Sequence, residues 1–466
     1  MFGRFGGSPR RLFLLLNCKI VANINSRKIT IRQCNHLTIL LMLDIKYIRD
    51  NAEAVKKNCE LRNIKCDIGR LLILDEKRRS LLTYTEELNA EKNKLNELIQ
   101  MSKDAERKTL IEQGKAVKEK LEITKPEMEE VEKEYKILLL QVSNMTHPDS
   151  PIGKDDNENK EIERYGEPPK FDFEPKGHEE LMTALDIIDF ERGAKVAGSK
   201  FYFLKNEGVM LELALTQFAF NKLIQKGFTP FATPDLAKDK VLLGIGYNPR
   251  GAETQIYSVE NTDLNLVGTA EITMGGYHMD ETIPEDKLPL KYAALSHCYR
   301  TEAGSYGRHS AGLYRVHQFT KIEMFAYTTP ETSEAMHTEL KNIEVEIFKD
   351  LGVPFRVVDI CTGDLGGPAQ RKYDLEAWMT SRDGWGEVTS TSDTTTYQAR
   401  RLNVKVERRD GKKEFLHMLN GTAIAVSRAL IAIIENYQQE DGSVKIPEVL
   451  KKYMPEGMEV IKKKCK

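Results

Sequence analysis

The chain has 466 residues, of which 40% are hydrophobic and 30% charged, and its formal net charge is −2. That balance describes a soluble globular protein of two or three domains. It lacks the global basic field of a dedicated nucleic-acid binder, so any such binding must come from a local patch. Seven cysteines without a CxxC argue against a disulfide framework or a zinc cluster, and no run of about 18 apolar residues offers a transmembrane helix.

The first 41 residues hold seven Arg or Lys and no acid. Two readings stand for residues 1–41. One is an organellar transit segment, which sends the protein to a mitochondrial or plastid matrix. The other is a mis-assigned start ahead of "MLDIKYIRDN" at Met42, which leaves a cytoplasmic protein. From Asp67 to about Val142 the chain is charged and almost free of glycine. Leu74, Leu81, Leu88 and Leu95 fall seven apart, and so do Leu110, Val117, Thr124, Val131 and Leu138. The spacing predicts two helices joined by a short turn, a coiled-coil arm roughly 50 Å long. Pro126 should kink the second helix. Such an arm is either a dimerisation hairpin or a device that reaches an extended partner. Residues 151–170, rich in Asp, Asn and Pro, read as a linker.

The remainder, residues 171–466, mixes the two periodicities. "HEELMTALDIIDFERGAKVAG" and "MLELALTQFAFNKLIQKGF" read as helices. "FYFL", "LVGTAEI", "KYAALSHCYR", "LYRVHQFTKIEMFAY", "FRVVDIC", "KYDLEAWM" and "EFLHMLN" read as strands. Hairpin-linked strands with helices on one face predict an antiparallel α+β domain. From Leu313 to Phe325 the odd positions include Arg315, His317, Phe319, Lys321 and Glu323, and the even ones Val316, Ile322 and Met324. Alternate strand residues face opposite ways, so one face carries charge around an aromatic ring and the other is core. A loop with Gly304, Gly307 and Gly312 precedes it. Fixed charges beside a glycine loop suit an anionic ligand. Neither GxGxxG nor a P-loop is present.

These residues resemble a known family. "RTE" followed by "GLYRVHQFTKIE" is similar to motif 2 of class II aminoacyl-tRNA synthetases, in the form typical of the bacterial and organellar seryl-tRNA synthetases. "GFTPFATPDL" resembles motif 1 and "LNGTAIAVSRALIAIIENYQQEDGSVKIPEVL" motif 3, while "GTAEI" and "GDLGGPAQRKYDLEAWM" match further blocks in family order. The likeness runs from Met42 to the end. Two blocks depart from the family pattern: "EVTSTSD" stands where "EISSCSN" is usual, and Gly367 and Pro368 stand where apolar or small residues are commoner.

The resemblance implies a homodimer with a tRNA-binding arm at 42–150 and a catalytic class II domain at 171–466. It implies ATP-dependent activation of L-serine and transfer to the 3′-end of tRNA(Ser), and also tRNA(Sec), with Mg2+ and without zinc. Arg300, Glu323 and Arg428 would be catalytic. Arg300, Thr301, Glu302, Arg315, Val316, Phe319, Glu387, Val388, Thr389, Ser390 and Arg428 would surround ATP, and Glu387 and Ser390 would hold Mg2+. Thr269, Ala270, Glu271, Arg300, Glu323, Asn420 and Thr422 would form the serine pocket. Lys321 is a weaker phosphate contact or a surface charge. Lys92, Lys94, Lys103, Arg107, Lys108, Lys115 and Lys118 would touch tRNA phosphates. His178, His309 and His317 read as ordinary polar residues. Two rival readings stand: a silent paralogue, which would have lost one of Arg300, Glu323, Glu387 or Arg428, all four present, and a class II synthetase for another amino acid, against which the helical arm and the "TAE" block argue.

Overall fold

In the computed structural model, which describes residues 43–247, 255–302 and 312–463, the heptads form two long helices. They are α1 (Ile68–Met101) and α2 (Asp104–Gln141), with Ser102 and Lys103 between them. Asp67 caps α1, its carboxylate accepting from the Arg70 N–H at 2.8 Å. Leu71, Leu74, Val131, Tyr135 and Leu139 join Ile48, Val55 and Cys59 in a core at the base of the arm. Leu88, Leu95 and Val117 make a smaller cluster further out. Arg70–Glu134 and Lys77–Glu127, both 2.7 Å, cross the hairpin. Pairs this exposed add little, about 0–1 kcal/mol each, so the apolar seam carries the arm. Pro126 does not end α2; it lies on the exposed side, where water can meet the carbonyl it frees. The expectations for residues 1–42, for Gly304 and Gly307, and for His309 lie outside the described residues.

Eight strands form the main sheet: β1 (Lys160–Tyr165), β2 (Thr229–Ala232), β3 (Leu290–Tyr299), β4 (Gln318–Thr328), β5 (Phe355–Asp359), β6 (Arg371–Met379), β7 (Gly384–Asp393) and β8 (His417–Ala425). Their order is β1-β5-β6-β7-β8-β4-β3-β2. All neighbours are antiparallel except β2 and β3. β1 lies inside the stretch read as a linker: its "KEIERY" pairs with β5 as an edge strand, where charged side chains are tolerated. The helices are α3 (Asn206–Gln225), α4 (Ala270–Tyr277), α5 (Ser333–Leu351) and α6 (Val426–Asn436). Along β4, Ile322, Met324 and Ala326 enter one core with residues of α3, α5 and α6. Phe325 and Tyr327 enter a second core with residues of α4. This is the antiparallel α+β architecture, with both faces of the sheet covered.

Three local expectations are corrected. "LVGTAEI" is not a strand through its length: a short strand, Leu264–Leu266, is followed by Thr269, whose hydroxyl accepts from the Glu271 N–H at 3.2 Å and starts α4. The helix read over 178–198 is broken into His178–Ala184 and Phe190–Ala197, because Asp186 turns left-handed at φ +59° and Asp189 caps the second piece. The second strand of motif 2 begins at Gln318, not Leu313. Gly312, at φ +61°, turns the chain there, and Leu313 and Val316 drop into the core.

Candidate active site

Arg300 follows the last residue of β3. Its N–H donates to the His317 carbonyl at 3.0 Å, and His317 Nδ1 lies 2.9 Å from the Arg300 carbonyl, to which it donates. Two bonds thus lock the backbone where the two strands part. The Arg300 side chain reaches the Gly268 carbonyl through Nε at 3.3 Å, and its guanidinium lies over the Phe319 ring at 5.3 Å. Glu302 leaves the strand line at φ +45°, a conformation costly for a residue with a Cβ. There its carboxylate meets Arg315 Nη1 at 3.2 Å. Arg300, Glu302, Val316, Phe319, Glu387 and Arg428 line one open cleft. Val388 and Thr389 line it too, but the Thr389 hydroxyl is turned to Glu344. Thr301 is tied to Gln255 by its N–H at 3.0 Å.

The far wall is β7. Residues 387 and 390 would face opposite ways on a regular strand. The pairing with β6 slips between Leu375 and Glu376, leaving Val388 unmatched, and this bulge lets Glu387 and Ser390 share a side. Arg428, in the first turn of α6, donates through Nη1 to the Glu387 carboxylate at 2.9 Å and to the Glu387 carbonyl at 3.1 Å. Its guanidinium also lies 4.7 Å from the centre of the Tyr314 ring. Burial would raise the Glu387 carboxyl, but the charges of Arg428 and Lys372 reverse this and hold it well below the usual range. Asp374, paired with Ser390 across the strands, goes the other way: burial raises it and the Glu387 charge adds to this, against Lys372 at 3.1 Å.

Beside the cleft lies an acidic pocket. Glu323 on β4 and Thr422 on β8 are direct cross-strand partners, and the Thr422 hydroxyl donates to the Glu323 carboxylate at 3.2 Å. Lys321 belongs to this group and not to the surface: it is 7% exposed, and its ammonium sits 2.5 Å from Glu323. Glu271, in the first turn of α4, accepts from Gln398 at 2.7 Å and from Asn420 at 3.0 Å. Ala270 is fully buried and Thr269 nearly so, which fixes the turn that aims Glu271. Burial pushes the Glu271 carboxyl up to about 7, with the Glu323 charge adding to it.

Four residues that sequence reasoning passed over hold this arrangement. Gln398 orients Glu271 and is fully buried. Glu344 on α5, also buried, accepts from Thr389 at 2.8 Å. A Cβ on Gly421 would come 3.0 Å from its Oε1, so motif 3 needs glycine there. His178 is not an ordinary polar residue. Its Nδ1 is 2.7 Å from Glu435 of α6, and its Nε2 accepts the Leu313 N–H at 3.1 Å. The pair fixes the tautomer and ties the end of the motif 2 loop to the motif 3 helix. A carboxylate at Glu435 inside an apolar helix was the one signal available, because a buried charge needs a partner.

Comparisons with known proteins agree with this geometry. Residues 42–146 match the family model described as the seryl-tRNA synthetase N-terminal domain, and residues 256–437 the class II tRNA synthetase core domain (G, H, P, S and T). A serine–tRNA ligase from Treponema denticola is 56% identical over 415 residues, 88% of this chain and 98% of the relative. One from Rubrobacter xylanophilus is 55% identical over 421 residues, 90% and 99% of the two chains. A crystal structure of seryl-tRNA synthetase from Pyrococcus horikoshii complexed with ATP superposes with a TM-score of 0.82 at 40% identity, covering 90% of this chain and 99% of that one.

Proposed function

The chain belongs to the seryl-tRNA synthetase family, and from that premise we propose that residues 171–466 activate L-serine with ATP and that residues 42–150 bring the tRNA to them. One observation carries the reading. A cleft lined by Arg300, Phe319, Glu387 and Arg428 adjoins an acidic pocket of Glu271, Glu323 and Thr422, both built against the same sheet. A nucleotide with its triphosphate fits the first, and a small amino acid with an ammonium group fits the second. Arg300, which lines the cleft and whose charge acts on both Glu271 and Glu387, would hold the serine carboxylate against the α-phosphate; a planar guanidinium can fork two oxygens. Phe319 would stack on adenine. Arg428 would take the terminal phosphates. Attack by the serine carboxylate on the α-phosphorus expels pyrophosphate and needs no protein nucleophile. Positioning and charge carry the rate. ATP–pyrophosphate exchange with each of the twenty amino acids tests the reading: exchange with serine supports it, and exchange with another amino acid in place of serine sinks it.

Mg2+ fits the oxygens present. Glu387 is held ionised, Ser390 shares its side, and the Asp374 Oδ1 is buried with no hydrogen-bond partner. Among the described residues no group of three His, Cys, Asp or Glu could hold a metal, which suits an ion shared with phosphate. Bound there, Mg2+ would neutralise phosphate charge.

Glu271 would accept from the serine ammonium or hydroxyl, and only its carboxylate does so fully. Its ordinary pKa is raised to about 7, so the carboxylate is the form lost as pH falls through that value. kcat/KM for serine is therefore expected to fall about tenfold per unit below it, since that ratio reports the free enzyme. A Glu271→Gln variant should be weaker and flat across the same range. A parent profile already flat from pH 5.5 to 8 rules out titration of Glu271 as a control on serine binding in this range.

We also propose a homodimer. Met210, Leu213 and Ile224 lie along one side of α3 with 40%, 57% and 49% exposure, an apolar stripe on a helix otherwise in the core. Leu213→Glu should yield monomers in sedimentation equilibrium with little change in folding; a persistent dimer places the interface elsewhere. No described helix is long and apolar enough to cross a membrane. We propose a cytoplasmic protein, or one of a mitochondrial or plastid matrix if residues 1–41 serve as a transit segment. The acceptors would include tRNA(Sec) with tRNA(Ser), because an arm that reads backbone shape accepts any tRNA of that shape.

A further inference from the structure

The base of the arm holds a buried arginine. Helix Ala52–Leu61 closes at Arg62, which is 4% exposed. Its guanidinium is met mainly by carbonyls, with the Thr146 hydroxyl accepting from Nη1 at 3.4 Å. Nη1 donates to the Asn144 carbonyl at 2.8 Å. Nη2 donates to the carbonyls of Gly366, Gly367 (3.3 Å) and Ala369 (2.9 Å). Among the described residues it has no carboxylate partner. Burying a cation costs several kcal/mol unless its surroundings compensate, so an apolar residue would serve better if only packing were at stake.

The segment it grips is a wall of the amino-acid pocket. Leu365, Pro368 and Ala369 share a cavity of about 250 Å³ with Glu271, Thr394 and Asn420. The wall has little packing of its own at the turn: Gly366 sits at φ +72° with nothing within 4 Å of an added Cβ. Leu365 and Ala369 pack with Val358 and Ile360, and the turn between them is held by hydrogen bonds from the arm. Asn144, just past α2, adds to those of Arg62. Its N–H donates to the Gly367 carbonyl at 2.9 Å, and its Nδ2 to the carbonyls of Pro368 and Thr394 at 3.0 Å each. Asn58, one turn before Arg62, holds the Asn144 carbonyl at 3.0 Å.

We propose that Arg62 is a positioning residue for the amino-acid pocket, holding the Gly366–Ala369 wall from the base of the arm so that arm and pocket share one anchor. This rests on the assignment of that pocket to serine. Lysine at 62 keeps the charge but lacks the planar fork that reaches the Asn144 carbonyl through one nitrogen and the wall's three carbonyls through the other. In pyrophosphate exchange, Arg62→Lys is expected to raise KM for serine by about tenfold or more, with kcat within about threefold and KM for ATP within about twofold, the pattern of lost ground-state binding. Rejection of threonine should loosen as the wall gives. A purely structural role predicts otherwise: a lower melting temperature and less active enzyme, with KM for serine unmoved. That result in folded Arg62→Lys overturns the proposal, as does an equal rise in both KM values. Should Arg62→Lys fail to fold, Asn144→Ser removes the bonds to Pro368 and Thr394 from the same side. The same split supports the proposal, and an unchanged serine KM overturns it. The parent protein separates the two levels: no serine-dependent exchange there sinks the pocket assignment itself.

Discussion

Arg428→Ala is expected to slow serine-dependent pyrophosphate exchange by at least about 100-fold, because it removes a charge aimed at the phosphates. The variant also orphans a partner. Arg428 Nη1 binds both the carboxylate and the carbonyl of Glu387, and its charge holds that carboxyl low. Without it, only Lys372 and Arg300 still oppose burial, and Glu387 takes up a proton more readily. Loss of activity then has two sources, missing cation and altered Glu387, and they can be separated. Arg428→Ala/Glu387→Gln leaves no unpaired carboxylate, so it should regain any melting temperature lost by the single variant. It should regain none of the activity if the cation is what matters. Arg428→Lys, with the charge but not the fork, should fall between parent and alanine variant. Arg300→Ala should lose activity to a similar degree, since Arg300 lines the same cleft. Near-normal exchange in a folded Arg428→Ala protein would detach α6 from the chemistry.

What the sequence makes legible follows one rule. Wherever side chains alternate over a regular strand, residues far apart in role can be placed on a common face: alternation puts Phe319, Lys321 and Glu323 together, and β4 bears it out. The rule fails where the backbone departs from the repeat. Leu313 to Val316 alternate in type but not in structure, because the Gly312 turn breaks the strand before it begins. "LVGTAEI" is too short for periodicity to decide, and the Thr269 cap decides it for a helix. The bulge at Val388 leaves no mark in composition, yet it brings Glu387 and Ser390 to one side. His178 with Glu435, Gln398 with Glu271 and Arg62 with Gly366 are joined across more than a hundred residues, and no local pattern encodes such pairs.

Replacing residues 84–120 by a short Gly/Ser linker should divide the enzyme's two half-reactions. The place of the cut follows from the packing. Leu71, Leu74, Val131 and Tyr135 belong to the core at the base of the arm, so a cut reaching residue 70 would open it. Arg70 pairs with Glu134 and Lys77 with Glu127. Seven residues along one helix thus match seven along the other, and the next such step brings Tyr84 level with Lys120. Arg62 and Asn144, which hold the pocket wall, stay in place. The smaller cluster of Leu88, Leu95 and Val117 leaves as a unit. Also removed are Lys92, Lys94, Lys103, Arg107, Lys108, Lys115 and Lys118, all exposed. Serine-dependent exchange, which needs the catalytic domain and the base of the arm, should stay within about tenfold of the parent, because no group facing the cleft is disturbed. Transfer to tRNA should fall by several orders of magnitude. The log–log salt slope of tRNA binding should shrink by about 0.7–0.9 for each phosphate left without its cation, so the removal of several such cations is easily read. Efficient charging of tRNA by the shortened protein would make the arm a spacer and leave its cations no role. Loss of exchange would show instead that the outer arm supports the pocket, through the same base that Arg62 anchors.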